Sequence, residues 1–153
     1  MIRIEAQIVS TAPDLPSRQK LHEWVVATLS GYRQDAEVVI RIVDEEESAR
    51  LNEQYRGKQG PTNILSFPFE VPPDVLLDLL GDLVICAPVV AGEARAQTKS
   101  GEAHWAHMVV HGVLHLLGFD HLEPAEAERM ENEEIRILGS LGIASPYEEE
   151  LTR

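Results

Sequence analysis

Three things are scarce in this sequence: cysteine, basic residues and long apolar runs. The single cysteine, Cys86, excludes an internal disulfide and fits a reducing compartment. Only 13 lysines and arginines accompany 26 acidic residues, so the formal net charge is −13. This charge argues against sequence-independent wrapping of nucleic acid, which needs many phosphate contacts. No apolar run approaches the roughly 20 residues that span a bilayer, and no signal peptide is visible. We therefore expect a cytoplasmic protein with no membrane partner, and the charge favours a monomer.

The length of 153 residues and the 44% apolar content indicate one folded domain, 1–153, with one core. Residues 2–8 alternate apolar and polar side chains, which is typical of a half-buried strand. Further strands are predicted at 36–43, 62–67 and 83–86, and helices at 17–31, 44–55, 88–98, 102–117 and 124–139. Residues 70–80 are interpreted as an apolar loop that could form a flap over a cleft, followed by a turn at 81–82, and the tail 148–150 is expected to fray. This order predicts an α+β fold in which a small mixed four-stranded sheet packs with about five helices.

Three histidines dominate the functional pattern. His111 and His115 are four residues apart, so they lie on one face of the predicted helix, one turn apart. Gly118 can end that helix in a left-handed conformation, after which His121 can approach the same point from the far side. Three imidazoles with no evident fourth protein ligand describe a metal site with an open position, which is the catalytic kind. Zinc, one ion per chain, is the leading candidate, although nickel, cobalt and copper also accept imidazole.

The spacing of these histidines matches the long zinc-peptidase motif His-Glu-x-x-His-x-x-Gly-x-x-His, with one member missing. Peptidases have a glutamate after the first histidine, where it serves as general base, and this chain has Gly112 there. Glycine inside a helix costs about 1 kcal/mol relative to alanine. We expect Gly112 to leave space near the metal, and its presence argues against a peptidase.

Neighbouring polar residues leave alternatives open. His107 and His111 also form an i, i+4 pair, and His104 lies on the same helical stripe. His104 and His107 are therefore either cleft-lining groups that support the ligands or partly exposed surface residues. The set 111, 115 and 121 is preferred because only that set uses the glycine turn. Asp120 either orients a ligand imidazole or caps the turn.

Arg56 lies in a loop, 56–61, that is rich in glycine. A solvated surface arginine is the ordinary interpretation. The functional interpretation is a guanidinium placed against phosphate, because its planar donors match phosphate oxygens in pairs. Composition alone does not decide between the two.

Three stretches together resemble the YbeY family of bacterial rRNA maturation factors. They are 104–121, which contains the histidines, then 56–58 leading into 62–67, and 80–85. They occur in the family's order, and the resemblance covers roughly positions 36–140. Ile64 and Phe119 stand where the family pattern has valine and tyrosine.

The resemblance implies a metal-dependent, single-strand-specific endoribonuclease, a hydrolase that acts in 16S rRNA 3′-end maturation, ribosome quality control and small-subunit assembly. It implies a metal-ligand role for His111, His115 and His121 and a catalytic role for Arg56, with the metal at the floor of a cleft in an α+β fold. The expected partners are single-stranded rRNA and the small ribosomal subunit, and no DNA substrate is expected. The candidate cleft or supporting residues are His107, Asp120, Asn63 and Ser66. The proton acceptor in the reaction stays open among metal-bound hydroxide, the RNA 2′-OH and His107.

Two other classes of function remain. A zinc metallopeptidase is favoured by the histidine spacing and opposed by Gly112. A non-catalytic ribosome assembly factor stabilised by its metal would normally have a site closed by a fourth protein ligand. An RNA enzyme of this net charge must also place its few basic residues near the cleft, and the candidates are Arg56, Lys58 and Lys99.

Overall fold

The computed structural model describes residues 1–72, 75 and 77–147. In this part of the chain, the strands are Ile2–Ile8 (β1), Ala36–Val43 (β2), Ile64–Pro68 (β3) and Leu79–Cys86 (β4). The helices are Arg18–Leu29 (α1), Glu45–Arg56 (α2), Ala87–Ala96 (α3), Gly101–Leu116 (α4) and Pro124–Ser140 (α5). The predicted α+β class is confirmed, with the elements in the predicted order. None of the helices within the described ranges is long and apolar enough to cross a membrane.

The strands form one mixed sheet in the order β1-β2-β4-β3. β1, β2 and β4 are parallel neighbours, and β3 runs antiparallel to β4. β3 is therefore an edge strand, and its outer edge has no partner strand within the described residues. Residues of β3 line the cleft that contains the candidate site.

The sheet separates two apolar groups of side chains. On one face, α1 and α4 cover strand residues such as Ile40, Leu83 and Ile85, all fully buried, and α5 packs on those two helices. On the other face, α2 and α3 cover a smaller group that includes Val84 and Cys86. Successive side chains of a strand point to opposite faces, so β4 contributes to both groups. Cys86, the single cysteine, is buried.

The start of β4 differs from the prediction. The assignment of a loop up to residue 80 and a turn at 81–82 is wrong at its C-terminal end, because β4 begins at Leu79 and runs through Gly81. A Cβ at Gly81 would lie 2.5 Å from the Phe67 backbone oxygen and 2.7 Å from Leu116 Cδ2. Glycine at this position therefore allows β3 and α4 to pack closely on β4.

Every other predicted boundary agrees with the structure within two residues. Residues 73, 74 and 76, in the segment interpreted as a flap, lie outside the described residues, as does the tail 148–150 that was expected to fray.

Candidate metal centre

Helix α4 carries four histidines along one stripe. It begins after Ser100, whose hydroxyl accepts the Ala103 amide at 3.1 Å. Just beyond its end, Gly118 adopts a φ of 104° and donates its amide to the His115 carbonyl at 3.0 Å. The chain therefore makes the left-handed turn that the sequence predicts at Gly118.

The structure brings His111, His115 and His121 together. The Nε2 atoms of His111 and His115 are 3.1 Å apart. The His121 ring centroid lies 5.7 Å from that of His111 and 5.1 Å from that of His115. One nitrogen from each ring lies within 4.8 Å of the others, so one metal ion could contact all three. Among the described residues, no other His, Cys, Asp or Glu joins this group.

A buried carboxylate on α5, Glu134, lies behind the cluster. Its side chain is only 1% exposed. Oε1 lies 3.0 Å from His111 Nδ1, and Oε2 lies 2.8 Å from His107 Nε2. Tyr147 donates its hydroxyl to the same carboxylate at 2.9 Å. Burial by itself raises the pKa of Glu134, but the hydrogen bonds from His107 and His111 outweigh it and lower the pKa to about 2. The carboxylate therefore favours a proton on His111 Nδ1, which leaves Nε2 to face the cluster.

His111 also belongs to a second group with metal-ligand spacing, formed with His107 and Glu134. In this group the carboxylate and the two imidazoles are already paired at 2.8 and 3.0 Å. The atoms that would coordinate an ion are therefore engaged with one another. The group formed with His115 and His121 lines the open cleft, whereas Glu134 is only 1% exposed, so the three-histidine group is the more accessible of the two to a metal ion.

The remaining α4 histidines line a neighbouring cavity of about 840 Å³ and not the cleft of the three-histidine cluster. The His104 side chain is 2% exposed, and its Nε2 lies 2.9 Å from Glu93. The His107 side chain is 12% exposed. Both are therefore interior groups, unlike the surface histidines that the sequence also allowed. The position of His107 outside the cleft does not favour it as a proton acceptor.

Asn63 and Ser66 lie along the β3 side of the cleft. Asn63 Oδ1 accepts the Ile64 amide at 2.6 Å, and Nδ2 lies 3.3 Å from both carboxylate oxygens of Glu93. Asn63 thus fixes the start of β3 and lines both cavities. Strand alternation places Ser66 on the same face as Ile64, towards α4.

Asp120 caps the turn after α4. Its Oδ1 accepts the backbone amide of His121 at 2.7 Å. In the described part of the chain, Asp120 forms no hydrogen bond with a ligand imidazole. Of the two roles that the sequence allowed, the observed contact is the turn cap.

Gly112 packs against the sheet. A Cβ at this position would lie 2.6 Å from Ile64 Cδ1 and 2.8 Å from Leu83 Cδ2. The expectation that Gly112 leaves space near the metal is wrong, because the missing side chain instead lets α4 approach the sheet. A glutamate side chain here would start against the apolar core, where it could not serve as a peptidase base without displacing these residues.

The histidine cluster lines a cleft of about 820 Å³ that runs along β3. Arg56, the last residue of α2, lines the same cleft and is exposed. No described residue forms a hydrogen bond or ion pair with its guanidinium, so its donors are available to a ligand. Of the other basic candidates, Lys58 does not line this cleft and Lys99 lines the neighbouring cavity.

Local sequence fixes the position of Arg56. Gly57, with a φ of 66°, ends α2 in a left-handed cap directly after Arg56. The following loop is tied back to α2, because Asn52 donates to a loop carbonyl at 2.9 Å and the Ser48 hydroxyl accepts the Thr62 amide at 3.0 Å. These bonds hold the loop that leads into β3 against the first half and middle of α2.

The donor set fits a divalent transition metal. Burial, together with His111 and His121, lowers the pKa of His115 and so favours the neutral imidazole that a metal requires. The Glu134 carboxylate provides His111 with the outer hydrogen-bond partner that metal-bound imidazoles usually have. An all-imidazole set suits zinc and related metals, whereas Mg²⁺ and Ca²⁺ prefer oxygen ligands.

Comparison with known proteins identifies the family to which this geometry belongs. The family model described as Endoribonuclease YbeY matches residues 7–142. The chain belongs to the YbeY family. The endoribonuclease YbeY of Methylococcus capsulatus is 61% identical over 149 residues, which are 97% of each chain. The solution structure of TM1509 from Thermotoga maritima superposes with a TM-score of 0.58 at 27% identity, covering 92% of this chain and 91% of that one.

YbeY membership confirms the resemblance inferred from the three stretches and extends it toward the N-terminus. Glu134 is a site residue that sequence reasoning missed, although a signal was present. The buried residues of α5 follow helical spacing, and they are Met130, Glu134, Ile137 and Leu138. A glutamate within an otherwise apolar stripe indicates a buried charge with a partner. A contact between Tyr55 and Phe67 was also missed, and it has no local signal because it joins two separate elements.

Proposed function

We propose that this chain is a metal-dependent endoribonuclease that hydrolyses phosphodiester bonds in single-stranded RNA. The observation that carries the proposal is one cleft lined by both an open three-imidazole cluster and an unengaged arginine. Membership of the Endoribonuclease YbeY family supports the same reaction.

The cleft residues have separate roles in this proposal. His111, His115 and His121 hold one metal ion per chain, with zinc as the leading candidate. A divalent metal there supplies positive charge and Lewis acidity to the reacting phosphodiester. Glu134 keeps the His111 ring oriented towards the cluster. Arg56 donates paired hydrogen bonds to phosphate oxygens and stabilises the charge that develops on them in the transition state.

The cellular role that we propose is maturation of the 16S rRNA 3′ end, ribosome quality control and small-subunit assembly, carried out in the cytoplasm by a monomer. Family membership supports this role. The net charge of −13 agrees with RNA that is presented by the small ribosomal subunit and is not captured by broad electrostatic attraction. Free RNA should therefore bind weakly, and its affinity should fall as salt is added.

Neither rival function gains support from the cleft. A peptidase would need its general base at position 112, where the structure has close packing between α4 and the sheet. A purely structural metal site would normally have a fourth protein ligand, and the described residues supply three.

The experiment compares metal-stripped and zinc-reloaded wild type on a single-stranded RNA and on the same sequence as a duplex. We expect cleavage of the single strand only, and only with metal. Arg56→Ala should retain its metal but lose about 100- to 1,000-fold in cleavage rate. Arg50→Ala, an exposed arginine on the same helix, should match wild type. Absence of cleavage by zinc-loaded wild type would refute the proposal, and full cleavage by Arg56→Ala would refute the role of that residue.

A further inference from the structure

Two aromatic side chains meet at the cleft. Tyr55, directly before Arg56, and Phe67 on β3 pack edge to face, with ring centroids 5.1 Å apart and an interplanar angle of 70°. Both line the cleft that contains the histidine cluster. Tyr55 is 59% exposed, so this contact leaves much of its ring uncovered.

The packing of the described residues does not account for a tyrosine at this position. Tyr32, another exposed tyrosine, donates its hydroxyl to Glu133 and packs edge to face on Phe119. The Tyr55 hydroxyl has no hydrogen-bond partner among the described residues. Aromatic side chains are only 5% of this sequence. Phe67 is partly buried against Val84 and its neighbours, but Tyr55 is exposed beside a candidate active site, which suggests a role in binding a ligand.

We propose that Tyr55 and Phe67 form a stacking platform for a nucleobase of single-stranded RNA, beside the phosphate bound by Arg56. The inference rests on the proposed function, because it assigns the adjoining part of the same cleft. Tyr55 and Arg56 are consecutive residues at the end of α2 and both line the cleft, so one short segment presents a ring and a guanidinium to the same cleft. An unpaired nucleotide offers the complementary pair of groups, a flat base and a phosphate.

The platform gives a physical reason for single-strand preference. In a duplex, neighbouring bases cover both faces of each base, so a base reaches a protein ring only after unstacking. In a single strand the bases can be splayed out and stacked on aromatic side chains. Stacking also needs no basic residues and accepts any base. It can therefore supply affinity that a chain of net charge −13 cannot obtain from many phosphate contacts.

The test measures binding independently of cleavage. Zinc-loaded protein is titrated with a fluorescein-labelled tetraadenylate made of 2′-O-methyl nucleotides, and then with the same backbone lacking all bases. Fluorescence anisotropy gives both dissociation constants, and a gel verifies that the oligonucleotides stay intact. For wild type, loss of the bases should weaken binding about 5- to 100-fold, since one base stacked on an aromatic ring contributes that much.

Variants test whether the ratio of the two dissociation constants depends on the ring of Tyr55. In Tyr55→Ala the ratio of the two dissociation constants should fall at least about fivefold towards one. Tyr55→Phe and Tyr55→Trp should keep the wild-type ratio, because both retain a ring. Tyr32→Ala, which removes an exposed tyrosine outside the cleft, should also keep it. The urea unfolding midpoint of Tyr55→Ala should stay close to that of wild type, because the side chain is exposed.

Three results would overturn the platform. The first is a wild-type ratio in Tyr55→Ala, which includes an equal loss of affinity for both oligonucleotides. The second is a wild type that binds the two oligonucleotides equally, and the third is a wild type that binds neither. Failure of the proposed function would look different. Tyr55-dependent stacking in a wild type that cleaves no RNA would refute the nuclease and leave the platform as a single-stranded RNA site.

Discussion

Glu134 Oε1 lies 3.0 Å from Nδ1 of His111, which links α5 to a candidate metal ligand on α4. The same carboxylate is bonded to His107, one turn earlier on α4, and its side chain is only 1% exposed. A carboxylate in this position favours the proton on Nδ1 of His111 and makes Nε2 the lone-pair donor. A residue outside the histidine motif therefore determines how well one of the three imidazoles can bind a metal.

This relationship predicts the effect of Glu134→Gln on metal binding. Zinc affinity should fall about 10- to 100-fold, because a neutral amide no longer increases the basicity of His111 or fixes its tautomer. Competition with a chromophoric chelator measures the affinity. Glu131→Gln, an exposed position on the same helix, should bind zinc as wild type does. Equal zinc affinity in Glu134→Gln and wild type would show that the carboxylate does not support the site.

The low pKa of Glu134 predicts a pH dependence of stability. Its pKa in the folded protein, about 2, lies below the reference value of 4.5. The ionised carboxylate therefore stabilises the fold above about pH 4.5, and this contribution is lost as the pH falls from there towards 2. The unfolding free energy of metal-free wild type, compared with Glu134→Gln by urea denaturation, should show a gap that narrows below about pH 4.5. A gap that stays constant or widens over that acid range would contradict the assignment.

Close packing at Gly112 predicts that even a methyl group is unfavourable there. Gly112→Ala should lower the unfolding free energy by about 1 kcal/mol, because overpacking costs about 1–3 kcal/mol and better helix propensity returns about 1. Gly112→Glu should cost about 3 kcal/mol or more, since it forces a carboxylate against apolar side chains. Urea unfolding measures both losses. Gly139→Ala is the matched control, because nothing lies within 4 Å of the position that its methyl group would occupy. Its unfolding free energy should rise by up to about 1 kcal/mol. A higher unfolding free energy in Gly112→Ala as well would argue against close packing at Gly112.

Asn63 is predicted to support the fold without affecting the metal. Asn63→Ala removes the acceptor of the Ile64 amide and one partner of Glu93, so the unfolding free energy should fall by about 1–2 kcal/mol. Zinc affinity should not change, since Asn63 bonds to none of the candidate ligands. Ser66→Ala, whose hydroxyl has no hydrogen bond among the described residues, should change stability by less than about 0.5 kcal/mol. Wild-type stability in Asn63→Ala would disprove its anchoring role.

Local patterns predict much of the fold and of the histidine cluster. The alternation at 2–8 and the run rich in Val and Ile at 36–43 locate β1 and β2 with their observed ends. The approach of His111 and His115 follows from helix geometry alone, and that of His121 needs only one left-handed residue, Gly118. These features depend on residues close together in the chain, where sequence reasoning is strongest.

The features that sequence reasoning misses depend on contacts between distant segments. Glu134 meets His107 and His111 across 27 and 23 residues, and no local pattern identifies its partners. Gly81 and Gly112 were misinterpreted for a related reason. A glycine can be required for its backbone freedom or because a Cβ would not fit. Which of these reasons applies depends on the atoms that lie opposite the glycine in the folded chain.

His111 belongs to two groups with metal-ligand spacing. Variants of the two groups can show whether RNA cleavage depends on a metal held with His115 and His121 or on one held with His107 and Glu134. His115→Ala removes a ligand from the first group only, whereas His107→Gln changes only the second and keeps a donor for Glu134. The decisive measurement is zinc content together with single-turnover cleavage of a single-stranded RNA, for wild type and both variants in parallel. His107→Gln should retain its zinc and cleave within about tenfold of wild type, while His115→Ala should lose both. Zinc binding and cleavage by His115→Ala, or loss of both by a folded His107→Gln, would contradict the assigned metal centre.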